Sequence, residues 1–282
     1  MIAYFSCFVN IIRRLKLSKK TSVFGVNINN ITMSDAINFS KKILYGKEDR
    51  QIAIFTPNLE MIEAARRSPF RKKLLNSADI LLPDGTGVAL IAKIFGSPLT
   101  ETVPGINFGE GLFREIKKER TPVFLLGGKP GVAEKAARNI RSRFAPINVC
   151  GYHHGYFSQS KDAPAVIDKI NASRAEILIV CMGFPAQEHF VAKYRRELSG
   201  VKLLICLGGS IDVWAGDVPR APKIFQDVRA EWLWRIVIQP DRAPRFASSL
   251  PAIPAAISAS LKNISPDVLK SLRRTYNVTE KN

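Results

Sequence analysis

Residues 175–210 read AEILIVCMGFPAQEHFVAKYRRELSGVKLLICLGGS. Two apolar runs, Ala175–Met182 and Lys202–Leu207, flank a stretch of helical period that opens at Pro185 and ends near Leu198. The runs are apolar at successive rather than alternate positions, so as strands they are buried on both faces. Strand, helix and strand of this kind form a parallel βαβ unit. Each run also ends in glycine and polar residues: Gly183-Phe-Pro185-Ala-Gln187-Glu188 after the first, Gly208-Gly209-Ser210 after the second.

The same alternation extends outward from this unit. Further apolar runs lie at Ser22–Val26, Gln51–Phe55, Asp79–Leu82, Pro122–Leu126 and Ile147–Gly151. Thr32-Met-Ser-Asp35 is a capping-box start for a helix through Leu44. Pro57-Asn58 opens a helix through Arg67, and Lys129-Pro130 opens one through Phe144. The pattern predicts an α/β fold over residues 22–212, with a mostly parallel sheet flanked by helices (Rossmann-like). Residues 1–21 form a basic and apolar N-terminal segment. Residues 213–282 form a basic, helical, tryptophan-containing C-terminal appendage and tail.

Ligands of open parallel sheets bind beyond the carboxyl ends of the strands. There the sequence places Thr56-Pro-Asn58, Pro83-Asp84-Gly85-Thr-Gly87 and Gly127-Gly128-Lys129-Pro130-Gly131. A carboxylate at Asp84 suits proton abstraction from a hydroxyl, and Gly85 lets a ligand approach the backbone. An N-cap for a helix over Val88–Phe95 explains the same residue. Free N–H groups around Gly128 at a helix start suit a diphosphate, and so does a tight turn with no ligand. The Gln187 amide suits a uracil edge and Glu188 suits ribose hydroxyls; an ordinary polar first turn of a helix is the rival explanation.

The chain has 282 residues, is 46% hydrophobic and carries a net charge of +18, which points to anionic partners. The cations cluster. Arg13, Arg14, Lys16, Lys19 and Lys20 stand near the N-terminus; Arg220, Lys223, Arg229, Arg235, Arg242 and Arg245 mingle with Trp214, Trp232 and Trp234. Such a mixture suits a diphosphate at a lipid interface, and equally a nucleic acid. No helix-turn-helix, RRM or KH signature accompanies it. The opening segment MIAYFSCFVNII precedes its arginines, the reverse of a signal peptide, and is too short to span a bilayer; an interfacial helix fits it. The four cysteines have no CxxC spacing and the three histidines no HExxH, so no metal site is expected.

In order and spacing these segments resemble the WecG/TagA/CpsF family of glycosyltransferases (glycosyltransferase family 26). The likeness runs from about Gly25 to Arg245. It is carried by Thr56-Pro-Asn58-Leu-Glu60, Leu82-Pro-Asp84-Gly85-Thr-Gly87, Val103-Pro-Gly105, Gly183-Phe-Pro185-Ala-Gln187-Glu188 and Gly208-Gly209-Ser-Ile-Asp212 followed by Ala215-Gly216. It continues through Arg220-Ala-Pro222, Glu231-Trp232-Leu-Trp-Arg235 and Pro240-Asp-Arg242.

The resemblance implies an inverting transfer from a UDP-sugar to a sugar on a polyprenyl diphosphate, at the inner face of the cell membrane. It implies Asp84 as base, Thr56 and Asn58 in the pocket, and Arg220, Arg235, Arg242 and Arg245 in a membrane-reaching appendage that closes over the site. No cofactor is expected; the UDP-sugar is a substrate, and the chain has no DxD motif to hold a metal. The sequence departs from the family pattern at Thr102, Asn107 and Ala186, which leaves the sugar as N-acetylmannosamine or a hexose such as glucose in exopolysaccharide synthesis. Expected partners are the donor, the lipid-linked acceptor and the membrane surface, with no nucleic acid and with self-association left open. The alternative is a basic phosphate- or nucleic-acid-binding α/β protein without transferase activity. A nicotinamide enzyme would need GxGxxG and a following acid, which the chain lacks.

Overall fold

A computed structural model describes residues 19–47, 50–227 and 231–262. The predicted interfacial segment Met1–Ile12, Arg229 and the tail from Pro266 lie outside the described residues. The first apolar run, expected as one strand over Ser22–Val26, is a hairpin of β1 (Lys20–Val23) and β2 (Val26–Asn29), a two-stranded antiparallel sheet of its own. Phe24 and Gly25 turn the chain with φ of 50° and 80°. A two-residue hairpin turn of type I′ requires both central residues there, and Phe is not a residue that advertises it. Packing of Phe24 edge-on to Phe95, with ring centroids 5.1 Å apart, holds the conformation.

Six strands form the main sheet: β3 (Ile52–Phe55), β4 (Ile80–Leu81), β5 (Val123–Gly127), β6 (Val149–His153), β7 (Ile177–Cys181) and β8 (Leu203–Cys206). They lie in the order β4-β3-β8-β7-β5-β6 with every pairing parallel. The sheet is the α/β arrangement that the sequence predicts. Asn29 Oδ1 accepts the Leu81 N–H at 2.9 Å, so the hairpin is tied to the β4 edge of the sheet. A covered edge cannot pair with another chain.

The helices between the strands are α1 (Met33–Tyr45), α2 (Leu59–Arg66), α3 (Pro69–Leu75), α4 (Thr86–Ile94), α5 (Gly105–Ile116), α6 (Val132–Arg143), α7 (Ala163–Ala172), α8 (Ala186–Tyr194) and α9 (Ser210–Ala215). The capping-box start of α1 is present: Thr32 Oγ1 accepts the Asp35 N–H at 3.1 Å. Strand residues divide by parity between two cores. Ile52, Ile54, Leu125, Ile179 and Ile205 pack under α1, α5, α6 and α9. Ala53, Phe55, Leu126, Val180 and Cys206 pack under the hairpin, α2, α4, α7 and α8. Both faces are covered, which is why the runs are apolar at every position. Cys181 and Cys206 are buried and Cys150 is half-buried, all as free thiols.

The C-terminal segment continues as α10 (Lys223–Asp227), α11 (Glu231–Ile238), a 3₁₀ turn at Pro240–Arg242, α12 (Ala243–Ser249) and α13 (Ala252–Lys262). It is joined to the sheet domain in three places. Helix α9 runs across position 212, and its Trp214 packs against Phe113 with centroids 5.2 Å apart. Ala252 and Ala256 of α13 are fully buried in the second core. Arg220 donates to Glu110 Oε2 at 2.8 Å and to Asn107 Oδ1. Among the described residues no helix is long and apolar enough to cross a membrane.

Glu110, 1% exposed, is the anchor of this last joint, since Arg114 and Arg143 also bind it. Arg114 and Arg143 are more than half exposed and contribute little, so the half-buried Arg220 carries most of the stabilisation. Glu110→Ala is expected to lower the unfolding free energy by roughly 2–3 kcal/mol, measured by urea denaturation. A change within about 0.5 kcal/mol would remove Glu110 as an anchor.

Candidate active site

Asp84 follows β4 in a loop held from three sides. Leu82 N–H donates to Phe55 O at 2.9 Å, Asp84 N–H to Pro57 O at 3.2 Å, and Val103 N–H to Pro83 O at 2.7 Å. Gly85, with φ of 89°, caps α4 without a side-chain bond, so Asp84 is not the cap of that helix. Instead its Oδ2 accepts the Gly105 N–H at 3.3 Å, at the first residue of α5. A helix N-terminus favours the ionised form. Burial outweighs it: the carboxyl is pushed up to about 6, held down by the Gly105 N–H and Arg235 and raised further by Glu231. Asp84 as a residue is nonetheless partly exposed at the sheet edge.

Thr56 and Asn58, from the loop after β3, stand next to it. Thr56 is buried and its hydroxyl donates to Cys206 O at 3.0 Å, joining the ends of β3 and β8. A Cβ added at Gly105 would lie 3.1 Å from Thr56 Oγ1, so the start of α5 sits directly on that hydroxyl. Asn58 caps α2, its Oδ1 accepting the Met61 N–H at 3.1 Å.

The arginines approach from the other side. A Cβ added at Gly209 would lie 3.1 Å from Arg235 Nη1 and 3.4 Å from Arg242 Nη2, so both guanidinium groups lie close against this glycine. Arg235 acts electrostatically on both Asp84 and Asp212. Burial raises the Asp212 carboxyl while Arg242, Arg235 and Lys129 lower it. Burial and the neighbouring Arg235 and Arg245 hold the Arg242 guanidinium below its ordinary value, against Glu60 and Asp212. Arg245, on α12, is exposed beside Arg242. Among the described residues Arg235, Arg242 and Arg245 enter no ion pair.

Four expected site residues have other work in the structure. Arg220 is the clamp on Glu110 and Asn107, with its cationic head engaged there. Gly128 donates its N–H to Cys181 O at 3.1 Å and accepts the Gly155 N–H at 2.8 Å, so its backbone is not free to cradle phosphate. Gln187 (3% exposed) and Glu188 (0% exposed) are buried, with their side chains engaged with one another. Gln187 Oε1 accepts N–H groups from Gly183 and Gly208, and its Nε2 donates to Glu188. The sequence places these residues in the first turn of a helix and does not tell which face of it is buried.

The structure adds Asp212, Lys129, Gly209 and Glu231 to the neighbourhood of Asp84 and the arginines. A signal for them exists: Gly209 and Asp212 follow β8 just as Asp84 follows β4. Among the described residues no group of three or more His, Cys, Asp or Glu side chains is placed to hold a metal ion.

A doubly covered parallel sheet with a carboxyl raised to about 6 and, among the described residues, arginines free of ion pairs at its carboxyl edge defines an α/β enzyme suited to anionic substrates. The chain belongs to the glycosyl transferase WecG/TagA/CpsF family, which it matches over residues 21–265. It is 34% identical over 219 residues to an N-acetylglucosaminyldiphosphoundecaprenol N-acetyl-beta-D-mannosaminyltransferase of Bacillus spizizenii, covering 78% of this chain and 82% of that one. It is 29% identical over 229 residues to a protein of the same name from Staphylococcus aureus, covering 81% and 89%. The chain is therefore a glycosyltransferase.

The raised Asp84 carboxyl fixes the sign of a pH effect. Between about pH 4 and pH 6 the folded protein holds a proton that the unfolded chain has lost. The stabilisation from that proton is full below the unfolded value and is lost as pH rises through about 6. Asp84→Asn removes the loss. The variant is expected to be more stable than the parent by on the order of 1–3 kcal/mol at about pH 7.5, and nearly equal to it at about pH 4, by thermal unfolding. A variant less stable than the parent at the higher pH would show that Gly105 and Arg235 outweigh burial.

Proposed function

We propose that the chain transfers N-acetylmannosamine from a UDP-sugar to N-acetylglucosamine carried on a polyprenyl diphosphate, in the synthesis of a bacterial surface polysaccharide. The observation that carries this reading is Asp84: partly exposed, with its carboxyl raised to about 6 and so mostly ionised at neutral pH, and acted on by Arg235 at the edge of the sheet. In the reaction the Asp84 carboxylate takes the proton of the acceptor hydroxyl. The hydroxyl oxygen bonds to the anomeric carbon as the bond from that carbon to the diphosphate oxygen breaks, with inversion. UDP leaves with the negative charge, which Arg235, Arg242 and Lys129 meet without a metal ion. Thr56 and Asn58 hold the loop that lines the acceptor side.

The names of the relatives supply both sugars of this proposal. A hexose donor such as glucose gains no support from the departures in sequence. Asn107 holds Arg220, Thr102 is buried, and Ala186 begins α8. Offering UDP-linked N-acetylmannosamine, N-acetylglucosamine and glucose to a diphospholipid acceptor, with mass spectrometry of the product, decides the matter; transfer of glucose alone would overturn the proposed donor.

Asp84→Asn is expected to reduce kcat by about 100-fold or more, and a fall below about tenfold would tell against a base. The parent should lose kcat/KM as pH falls below about 6, and the variant should lack that limb.

The lipid acceptor requires the enzyme at a membrane surface, on the cytoplasmic side where UDP-sugars are found. Ile224, Trp232, Leu233, Val237, Ile257 and Leu261 are exposed apolar side chains of α10, α11 and α13, and Trp232 stacks on Phe246 at 4.4 Å. With Arg245 beside them they suit a bilayer carrying anionic lipid. Leu233→Asp combined with Val237→Asp is expected to weaken binding to vesicles containing phosphatidylglycerol by about tenfold or more while sparing transfer to a short-chain, water-soluble acceptor. Unchanged vesicle binding would move the contact elsewhere.

A further inference from the structure

The loops after β7 and β8 are bridged by one side-chain amide. Gln187 Oε1 accepts the Gly183 N–H at 3.3 Å and the Gly208 N–H at 3.1 Å. Both glycines have positive φ, 77° and 54°, and a Cβ added to either would meet no atom within 4 Å. They therefore border open space at the carboxyl edge of the sheet. The next residue, Gly209, is the one that lies against Arg235 and Arg242. The ground beneath the arginines is thus set by how Gln187 is turned.

A carboxamide has two ends of similar shape and opposite polarity. Turned over, Gln187 would place its NH₂ against two N–H donors and lose both bonds. In the observed orientation its Nε2 donates to Glu188 Oε1 at 2.8 Å. Glu188 is fully buried, its Oε2 has no hydrogen-bond partner among the described residues, and no cation stands against it. A carboxylate held for its charge would be paired. Burial pushes this carboxyl up to about 7, against the opposing bond from Gln187.

We propose that Glu188 is a positioning residue: by accepting from Nε2 it fixes the Gln187 amide, which brackets the Gly183 and Gly208 loops beneath the arginines. An uncharged acceptor at position 188 does the same work. The bracket itself is independent of the donor site proposed above; its kinetic consequence rests on that reading.

Full-length protein carrying Glu188→Met, Glu188→Gln or Gln187→Leu tests this through amide hydrogen exchange resolved at Gly183 and Gly208. In Glu188→Met these two amides should exchange about tenfold or more faster, while amides within β7 and β8 keep their protection. Glu188→Gln should return both to within about threefold of the parent. Should Glu188→Met not fold, Gln187→Leu carries the test with the same expected acceleration. Parent-like exchange in Glu188→Met or Gln187→Leu overturns the bracket. Glu188→Gln exchanging as fast as Glu188→Met overturns the uncharged acceptor.

For the kinetic consequence, KM for the UDP-sugar should rise in Glu188→Met with kcat changed less, and Glu188→Gln should restore it. A fall in kcat alone would sever the bracket from donor binding. Failure of the parent protein to bind UDP would sink the donor site while the exchange result still decides the bracket.

Discussion

A parallel sheet buried on both faces has no room for polar side chains except at the ends of its strands. In this protein the constraint is strict. Every residue of β5, β7 and β8 is buried, and strand residues alternate between two cores, one under α1, α5, α6 and α9 and the other under α2, α4, α7 and α8. Polar chemistry is therefore pressed to the carboxyl edge, where Thr56, Asp84, Gly183 and Gly208 follow four different strands. Glycine at positive φ turns the chain after β4, β7 and β8, at Gly85, Gly183 and Gly208, and the loops bond to one another.

Two acids of this chain show how surroundings assign a role. Glu110 is sealed, and three arginines satisfy it, so it can only hold structure. Asp84 has one backbone N–H in contact and a guanidinium acting on it from Arg235, too little to offset burial. The first carboxylate is an anchor; the second, raised to about 6, is mostly ionised at neutral pH and a stronger base than an ordinary carboxylate. The arginines divide in the same way. Arg220 closes the joint between the sheet domain and the C-terminal helices, whereas Arg235 and Arg242 enter no ion pair among the described residues.

The C-terminal helices belong to this arrangement structurally. Trp214, Ala252 and Ala256 lie in the two cores, so Arg235 and Arg242 reach the sheet edge from a segment that is packed in place. The exposed apolar residues of α10, α11 and α13 are on the same segment. The arginines at the sheet edge and the exposed apolar side chains are thus presented by one segment.

The sequence alone determined the class of fold, because apolar runs of strand length separated by helical stretches permit few arrangements. It also singled out the loops after the strands, Asp84 among them, because glycines beside an acid at a strand end are legible without coordinates. It did not reveal the β1–β2 turn, since Phe24 adopts a conformation that its type disfavours and that only packing on Phe95 sustains. Nor did it reveal that Gln187 and Glu188 are buried and Arg220 is held by Glu110, while Arg235 and Arg242 lie against Gly209 at the carboxyl edge. Residue type gives the capacity to bind a charge or a hydrogen bond; which capacity is already satisfied depends on partners such as Glu110 and Gly208, 110 and 21 residues away in the chain, that only the tertiary structure brings into contact.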